Sequence, residues 1–193
     1  MKTWMMGLMF TVMALPVMAQ HTEPAPVKAA LLVIDVQNAY MPYMDEANPK
    51  SIFDRINGSI ALFRQFDLPV IRVYHSDPRW GTEVGTDAFQ FDPAVSVNDS
   101  DPKVIKHYPS AFRETELQQL LKDQGINTLF LTGLSATGCV MATYWGAIGH
   151  DYDVFLVRDN LFSGNAVHTK QVQEILQSVS YEAVKIILKA SAQ

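Results

Sequence analysis

Three residues with reactive side chains lie at or just beyond the ends of separate apolar runs. Asp35 closes the run that begins at Ala29, Lys106 lies in a short run near the middle of the chain, and Cys139 follows a run that ends at Thr132. A carboxylate can remove the proton of a thiol, an ammonium can hold that carboxylate, and the thiolate can then attack a carbonyl carbon. The three residue types therefore predict a cysteine hydrolase, provided that the runs are neighbouring strands.

Cys139 is the only cysteine of the chain and lies in Gly-Leu-Ser-Ala-Thr-Gly-Cys-Val, residues 133–140. The sequence before it predicts a buried strand and the sequence after it a helix, so the thiol lies where backbone N–H groups and the helix dipole favour a thiolate. A free cysteine is also often a small buried hydrophobe, which leaves a structural role open. A redox role would need a resolving thiol, and the chain has no second cysteine.

The elements that must position these residues alternate between apolar runs and amphipathic stretches. Uniformly apolar strands between helices predict a parallel sheet covered on both faces, in which the functional crevice lies beyond the carboxyl ends of the strands. We therefore predict a three-layer α/β/α fold with a mostly parallel, six-stranded, Rossmann-like sheet. The predicted strands are 29–36, 70–74, 103–107, 129–132, 154–158 and 183–188, and the predicted helices are 51–66, 114–123, 139–149 and 167–180.

The first residues differ in composition from the rest of the 193-residue chain. Lys2 precedes an uncharged apolar run from Trp4 to Met18, and Val17-Met18-Ala19 resembles a signal peptidase site. The run is shorter than the roughly 20 residues that a membrane-spanning helix needs. We therefore predict a cleaved signal peptide at 1–19, a flexible spacer at 20–28 and one hydrolase domain at 29–193, in a periplasmic or secreted protein without a membrane anchor.

The charge of the chain excludes one class of partner. It has 15 Lys and Arg against 20 Asp and Glu, and removing Lys2 with the leader leaves 14 basic residues against the same 20 acidic ones. No cluster of basic residues is present, so no nucleic-acid partner is expected.

Three blocks of sequence resemble the isochorismatase-like cysteine hydrolase superfamily, which includes nicotinamidases and carbamoylsarcosine amidases. They are Leu-Val-Ile-Asp-Val-Gln-Asn around Asp35, Lys-His-Tyr-Pro-Ser-Ala-Phe from Lys106, and Leu-Thr-Gly-Leu-Ser-Ala-Thr-Gly-Cys-Val ending just after Cys139. The resemblance implies that Asp35 is the general base, Lys106 its charged partner and Cys139 the nucleophile. It also implies a cis peptide bond between Leu134 and Ser135, with the N–H groups of Ser135 and Cys139 forming an oxyanion hole.

Departures from the family pattern narrow the range of reactions that we expect. Nicotinamidases of this family hold a metal through an Asp-x-His pair and a further histidine, whereas this chain has no histidine between Asp35 and His75. We therefore expect no metal and no other cofactor. Isochorismatases cleave a vinyl ether without a cysteine nucleophile, so Cys139 favours C–N hydrolysis of a small amide or ureido substrate. The alternative is a catalytically silent member of the family that binds a small molecule or a protein.

Four further residues are candidates for the walls of a substrate pocket: Tyr40, His75, Phe112 and Tyr144. A structural role for His75 and core packing for the aromatic residues are the alternatives. The resemblance also implies a homo-oligomer.

Overall fold

A computed structural model of the chain describes residues 26–44 and 49–192. The predicted signal peptide lies outside the described residues, and so does most of the predicted spacer.

Six strands form one sheet in which every pairing between strands is parallel. Their order is β3-β2-β1-β4-β5-β6, so the direction of winding reverses between β1 and β4. The strands are β1 (Ala29–Ile34), β2 (Val70–His75), β3 (Lys103–Lys106), β4 (Thr128–Leu134), β5 (Asp153–Phe162) and β6 (Ser178–Val179). The predicted six-stranded α/β fold is thereby confirmed.

Helices cover both faces of the sheet, as the uninterrupted apolar strands require. They are α1 (Pro49–Gln65), α2 (Leu117–Asp123), α3 (Met141–Ile148), α4 (Ala166–Ile175) and α5 (Tyr181–Ser191). Along β1, Leu31 and Val33 pack with the buried side chains of α1 and α5, whereas Leu32 and Ile34 pack with those of α2, α3 and α4. Alternation along a strand thus fills two separate cores, because successive side chains point to opposite faces.

The final predicted strand, 183–188, is wrong. This segment belongs to α5, and the sixth strand is the two-residue β6 that precedes it. Val184 and Leu188 are buried four residues apart while Ile186 between them is 68% exposed, which is the pattern of a helix. The side chain of Ser180 accepts a hydrogen bond from the N–H of Ala183 and so caps the helix. A short apolar run cannot be assigned to a strand or a helix by its composition, and here the cap decides.

Two other element boundaries differ from the prediction by four residues or more. The predicted helix 167–180 ends with α4 at Ile175, which leaves the chain free to form β6. The fifth strand continues past Arg158 to Phe162, across an irregularity in its pairing with β4 between Leu131 and Gly133.

The long loop between β2 and β3 packs against the segment that follows β1. The N–H of Asn38 donates to the carbonyl of Gln90, and the N–H of Asp92 donates to the carbonyl of Val36. At the far end of the loop, Arg72 donates hydrogen bonds to the carbonyls of Asp99 and Asp101. The loop is therefore held against the carboxyl end of β1.

Candidate active site

Asp35, Lys106 and Cys139 meet beyond the carboxyl ends of the strands, beside the point where the winding of the sheet reverses. Asp35 directly follows β1, Lys106 ends β3, and Cys139 lies in a π-helical turn, Ala136–Val140, between β4 and α3. A reversal of strand order opens a crevice because the two connections leave toward opposite faces. The sheet therefore brings the three predicted residues together.

Lys106 lies at the centre of the group. Its Nζ donates to Asp35 Oδ2 at 2.8 Å and to Cys139 Sγ at 3.2 Å, and its side chain is completely buried. A buried ammonium is stable only when it is paired, and Asp35 is its carboxylate partner. The second carboxylate oxygen of Asp35, Oδ1, is buried and has no hydrogen-bond partner within the described part of the chain. That oxygen can accept a proton.

The thiol of Cys139 is held in its neutral form. Burial, followed by the negative charge of Asp35, raises its pKa to about 12, although the ammonium of Lys106 acts in the opposite direction. The resting site is therefore a protonated thiol beside an Asp–Lys ion pair. A nucleophilic role requires a base that removes the proton as the sulfur attacks.

Backbone geometry around the thiol and the carboxylate is unusual. Asp35 has φ +52°, a left-handed conformation that is sparsely populated for residues other than glycine and occurs often at active sites. The peptide bond between Leu134 and Ser135 is cis, as the resemblance implied. No acceptor for the N–H of Ser135 is found among residues 26–44 and 49–192.

Beside the three reactive residues, His75 and Gln37 link the end of β2 to the segment after β1. His75 Nδ1 lies 3.7 Å from Cys139 Sγ and 3.9 Å from Asp35 Oδ2. The fully buried amide of Gln37 accepts from the N–H of His75 and donates to the carbonyls of His75 and Phe89. Burial and the charge of Lys106 lower the pKa of His75, so its imidazole is neutral at physiological pH.

The donor atoms of Asp35, His75 and Cys139 all lie within 4.8 Å of one another and include types that bind divalent metals. The ammonium of Lys106 already contacts two of them. A divalent cation would have to displace that ammonium, so the arrangement fits acid–base chemistry better than metal binding. The expected absence of a metal stays a prediction.

A cavity of about 220 Å³ opens over this group. Its walls are Asp35, Tyr40, Tyr43, Met44, His75, Trp80, Leu134, Ser135 and Cys139. Tyr43 and Trp80 meet edge to face at 5.3 Å between ring centroids, and Tyr40 meets Trp80 at 5.9 Å. A larger cavity, about 770 Å³, lies between α1, β5 and α4 and contains none of the three reactive residues.

The structure separates the four predicted wall residues into two pairs. Tyr40 and His75 line the cavity, whereas Phe112 and Tyr144 are buried in the core on the α2, α3 and α4 side of the sheet. Phe112 packs on Tyr152 and His150, and the hydroxyl of Tyr144 accepts from the N–H of Gln177. For Phe112 and Tyr144, core packing is the observed role.

Sequence reasoning missed Tyr43, Met44 and Trp80 as wall residues. Tyr43 follows Tyr40 at the spacing of one helical turn, in the turn Asn38–Tyr43, and this spacing was the available signal. Trp80 reaches the cavity from the β2–β3 loop, and its sequence surroundings contain no comparable signal.

Comparison with known proteins settles the family. The model of the isochorismatase domain matches residues 29–183 of this chain. The chain belongs to the isochorismatase family. The solved structure of an N-carbamoylsarcosine amidase from Thermoplasma acidophilum is similar to it with a TM-score of 0.68 and 27% identity, over 80% of this chain and 95% of that one.

Three curated members of the family illustrate its range. The isochorismatase family protein YddQ of Bacillus subtilis is 29% identical over 67% of this chain and 75% of its own length. The secreted isochorismatase effector Isc1 of Verticillium dahliae is 25% identical over 68% and 70%. A probable inactive nicotinamidase of Arabidopsis thaliana, At3g16190, is 26% identical over 76% and 87%. Membership in the family therefore indicates a hydrolase fold and leaves the substrate open.

Proposed function

We propose that this protein hydrolyses the C–N bond of a small amide or ureido substrate through a thioester on Cys139. The observation that carries the proposal is the contact of one buried ammonium, Lys106 Nζ, with both the carboxylate of Asp35 and the sulfur of Cys139. A silent binding protein has no need of a buried charge pair beside a thiol, since such a pair is costly to desolvate.

The first half of the reaction forms the thioester. Asp35 takes the thiol proton while the sulfur of Cys139 attacks the substrate carbonyl carbon, and Lys106 stabilises the developing thiolate. The N–H groups of Ser135 and Cys139 are the proposed donors to the oxyanion. The protonated Asp35 then gives its proton to the departing nitrogen, the C–N bond breaks, and an amine or ammonia leaves.

The second half releases the acid. Asp35, again a carboxylate, removes a proton from a water molecule, and the resulting hydroxide attacks the thioester carbonyl. The C–S bond breaks, the sulfur regains its proton from Asp35, and the carboxylic or carbamic acid departs. One water is consumed and the side chains return to their starting state.

The test is hydrolysis of a panel of small primary amides, N-substituted amides and ureido compounds, followed by amine or ammonia release. We expect Cys139→Ser, Asp35→Asn and Lys106→Met each to lower kcat/KM by about 10³-fold or more. Lys50→Met is the matched control, because Lys50 is 80% exposed on α1 and, among the described residues, pairs only with Asp54. Turnover by Cys139→Ser within a fewfold of wild type would refute the mechanism.

Two alternatives to C–N hydrolysis are distinguished when isochorismate, a vinyl ether, is tested beside the same panel with the same variants. Cleavage of a vinyl ether such as isochorismate needs no thiol, so it would survive in Cys139→Ser. A silent member would bind a compound of the panel, seen as a rise in Tm, without releasing product. The probable inactive nicotinamidase among the relatives is the reason to test this alternative.

We also propose that the protein is exported and that it forms a homo-oligomer. Export rests on the charged start, apolar run and cleavage-site pattern of residues 1–19. A secreted member of the family, Isc1, is compatible with it. Within the described residues, no helix has both the length and the apolar character needed to cross a bilayer. The oligomer rests on the family resemblance alone, and light scattering during gel filtration checks it.

A further inference from the structure

The described residues that line the cavity over Cys139 offer almost no charge to a ligand. Five of the nine wall residues are aromatic or aliphatic: Tyr40, Tyr43, Met44, Trp80 and Leu134. The phenol of Tyr40 contacts Thr82, and burial raises its pKa to about 12, so it is neutral at any working pH. Apart from the reactive group itself, a substrate therefore meets a largely apolar surface.

No cation of the described residues is placed to pair with a substrate anion. Lys106 is fully buried and already bonded to Asp35 and Cys139. Arg79, next to Trp80 in sequence, is bound by Asp77, whose carboxylate accepts from its Nε and Nη2. These hydrogen bonds lower the pKa of Asp77 to about 2, so its carboxylate stays charged at all relevant pH values. Lys103 lies over the rings of Tyr74 and Phe89 and is not a wall residue.

Among the described residues that line the cavity, the one full charge is negative. The carboxylate of Asp35 lines the cavity, and its charge contributes to the raised pKa values of both Tyr40 and Cys139. A carboxylate carried into this space would lose its water, gain no counter-charge and face Asp35. Burying an unpaired charge is far more costly than burying a neutral amide that finds hydrogen-bond partners.

We propose that this cavity selects small uncharged amides and excludes amides that carry a carboxylate. The inference rests on the proposed function and names its substrate class. The volume of about 220 Å³ equals the space of roughly seven water molecules, which limits the acyl group to about the size of one ring. Within the family, amides with a free carboxylate would then be substrates of other members.

Alkylation of Cys139 tests charge selection without requiring turnover. Iodoacetamide and iodoacetate differ in charge but little in size, and the single cysteine makes the mass change unambiguous. We would measure both alkylation rates of Cys139 at pH 8.5 and divide the rate with iodoacetamide by the rate with iodoacetate. Dividing this ratio by the same ratio for glutathione gives the alkylation quotient. The quotient should be at least ten.

High salt distinguishes two causes of a preference for iodoacetamide: repulsion by the whole protein and desolvation in the cavity. Repulsion by the net negative charge of the whole protein is screened in 0.5 M KCl, whereas the cost of desolvation in the cavity remains. The tenfold preference should therefore persist in high salt. A quotient within threefold of one, or a preference for iodoacetate drawn by Lys106, would overturn the proposal.

A substrate pair provides the second measurement. Fumaramide and fumaramate have the same size, and one carries an amide where the other carries a carboxylate. After correction for its two amides, fumaramide should have a kcat/KM at least tenfold higher. Turnover of fumaramate at an equal or greater rate would overturn charge selection and leave the hydrolase intact. If neither compound is hydrolysed, the hydrolase proposal is in question while the alkylation ratio still decides the charge of the cavity.

A positive charge placed on the wall should weaken the preference for iodoacetamide. Tyr43 is 60% exposed at the mouth of the cavity, so Tyr43→Arg introduces a cation at little cost in packing. We expect this variant to lower the alkylation quotient at least fivefold. Tyr43→Gln, which removes the ring without adding charge, should leave the quotient unchanged, and an equal fall in both variants would contradict a charge effect.

Discussion

The groups around the Cys139 thiol have opposite effects on its pKa. The thiol is 3.2 Å from a cation, which favours the thiolate, but burial and the carboxylate of Asp35 outweigh that cation and raise its pKa to about 12. The sulfur is therefore neutral until a base acts on it. A neutral thiol reacts slowly with oxidants, which suits a protein proposed to work in an oxidising compartment.

The raised pKa has a measurable effect on stability. Between the ordinary thiol pKa of 9.0 and about 12, the folded protein keeps a proton that the unfolded chain releases. The stabilising effect of the thiol is complete below pH 9 and is lost as the pH rises toward 12. Relative to Cys139→Ser, the free energy of unfolding of wild type should fall by about 1 kcal/mol from pH 8.5 to pH 10. Urea titrations at both values measure it, and parallel pH dependences would contradict a raised thiol pKa.

At the scale of elements, the close packing of β1 and β4 fixes the position of Asp35. Gly133 pairs with Ile34 and has φ +103°, and a Cβ on Gly133 would collide with the carbonyl oxygen of Ile34. Asp35 is the next residue after Ile34. A glycine in β4 therefore allows the backbone approach that brings the end of β1 beside the turn with Cys139.

Replacing this glycine should damage both stability and activity. Gly133→Ala adds strain at a positive φ and a backbone clash, so we expect the free energy of unfolding to fall by about 2–4 kcal/mol. The matched control is Gly58→Ala in α1, where, within the described part of the chain, the new methyl group would meet only Tyr181 at an ordinary 3.8 Å. That change should be neutral or stabilising by up to about 1 kcal/mol, because alanine favours a helix. Chemical unfolding of both variants gives the comparison, and equal effects would refute the argument.

Some strands and helices could be predicted from the sequence and others could not, for physical reasons. β1 and β4 were predictable because both of their faces are buried and the sequence is apolar throughout. The segment 183–188 is also apolar, yet it is helical because only Val184 and Leu188 face the core and Ser180 caps the turn. The short β6 had no signal of its own, since two residues with intermediate burial do not form a hydrophobic pattern.

At the scale of the whole molecule, the sheet order determines where the site lies. Lys106 ends the edge strand β3, and its contact with Asp35 depends on β2 lying between β3 and β1. Thr82 from the β2–β3 loop then binds Tyr40, and Trp80 from the same loop closes the cavity. The site therefore exists only when the whole sheet is assembled.

Export is the prediction that belongs to the whole chain. Expressed from its full sequence in a secreting bacterial host, the protein should be recovered outside the cytoplasm with Gln20 as its first residue. Intact mass and N-terminal sequencing measure this, and a chain that keeps Met1 in the cytoplasm would contradict it. Lys2→Glu, which removes the positive start, should reduce export, and Lys50→Glu is the matched control.

The sequence by itself determined the family, the fold class and the three residues that meet at the candidate site. It could do so because apolar runs and junction motifs are local, and because strands of a parallel sheet place their carboxyl ends at one edge. Only the tertiary structure decided which aromatic residues surround the thiol and whether that thiol rests protonated. Those outcomes depend on burial and on contacts such as Lys106 with Asp35, 71 residues apart in sequence, which no local pattern specifies.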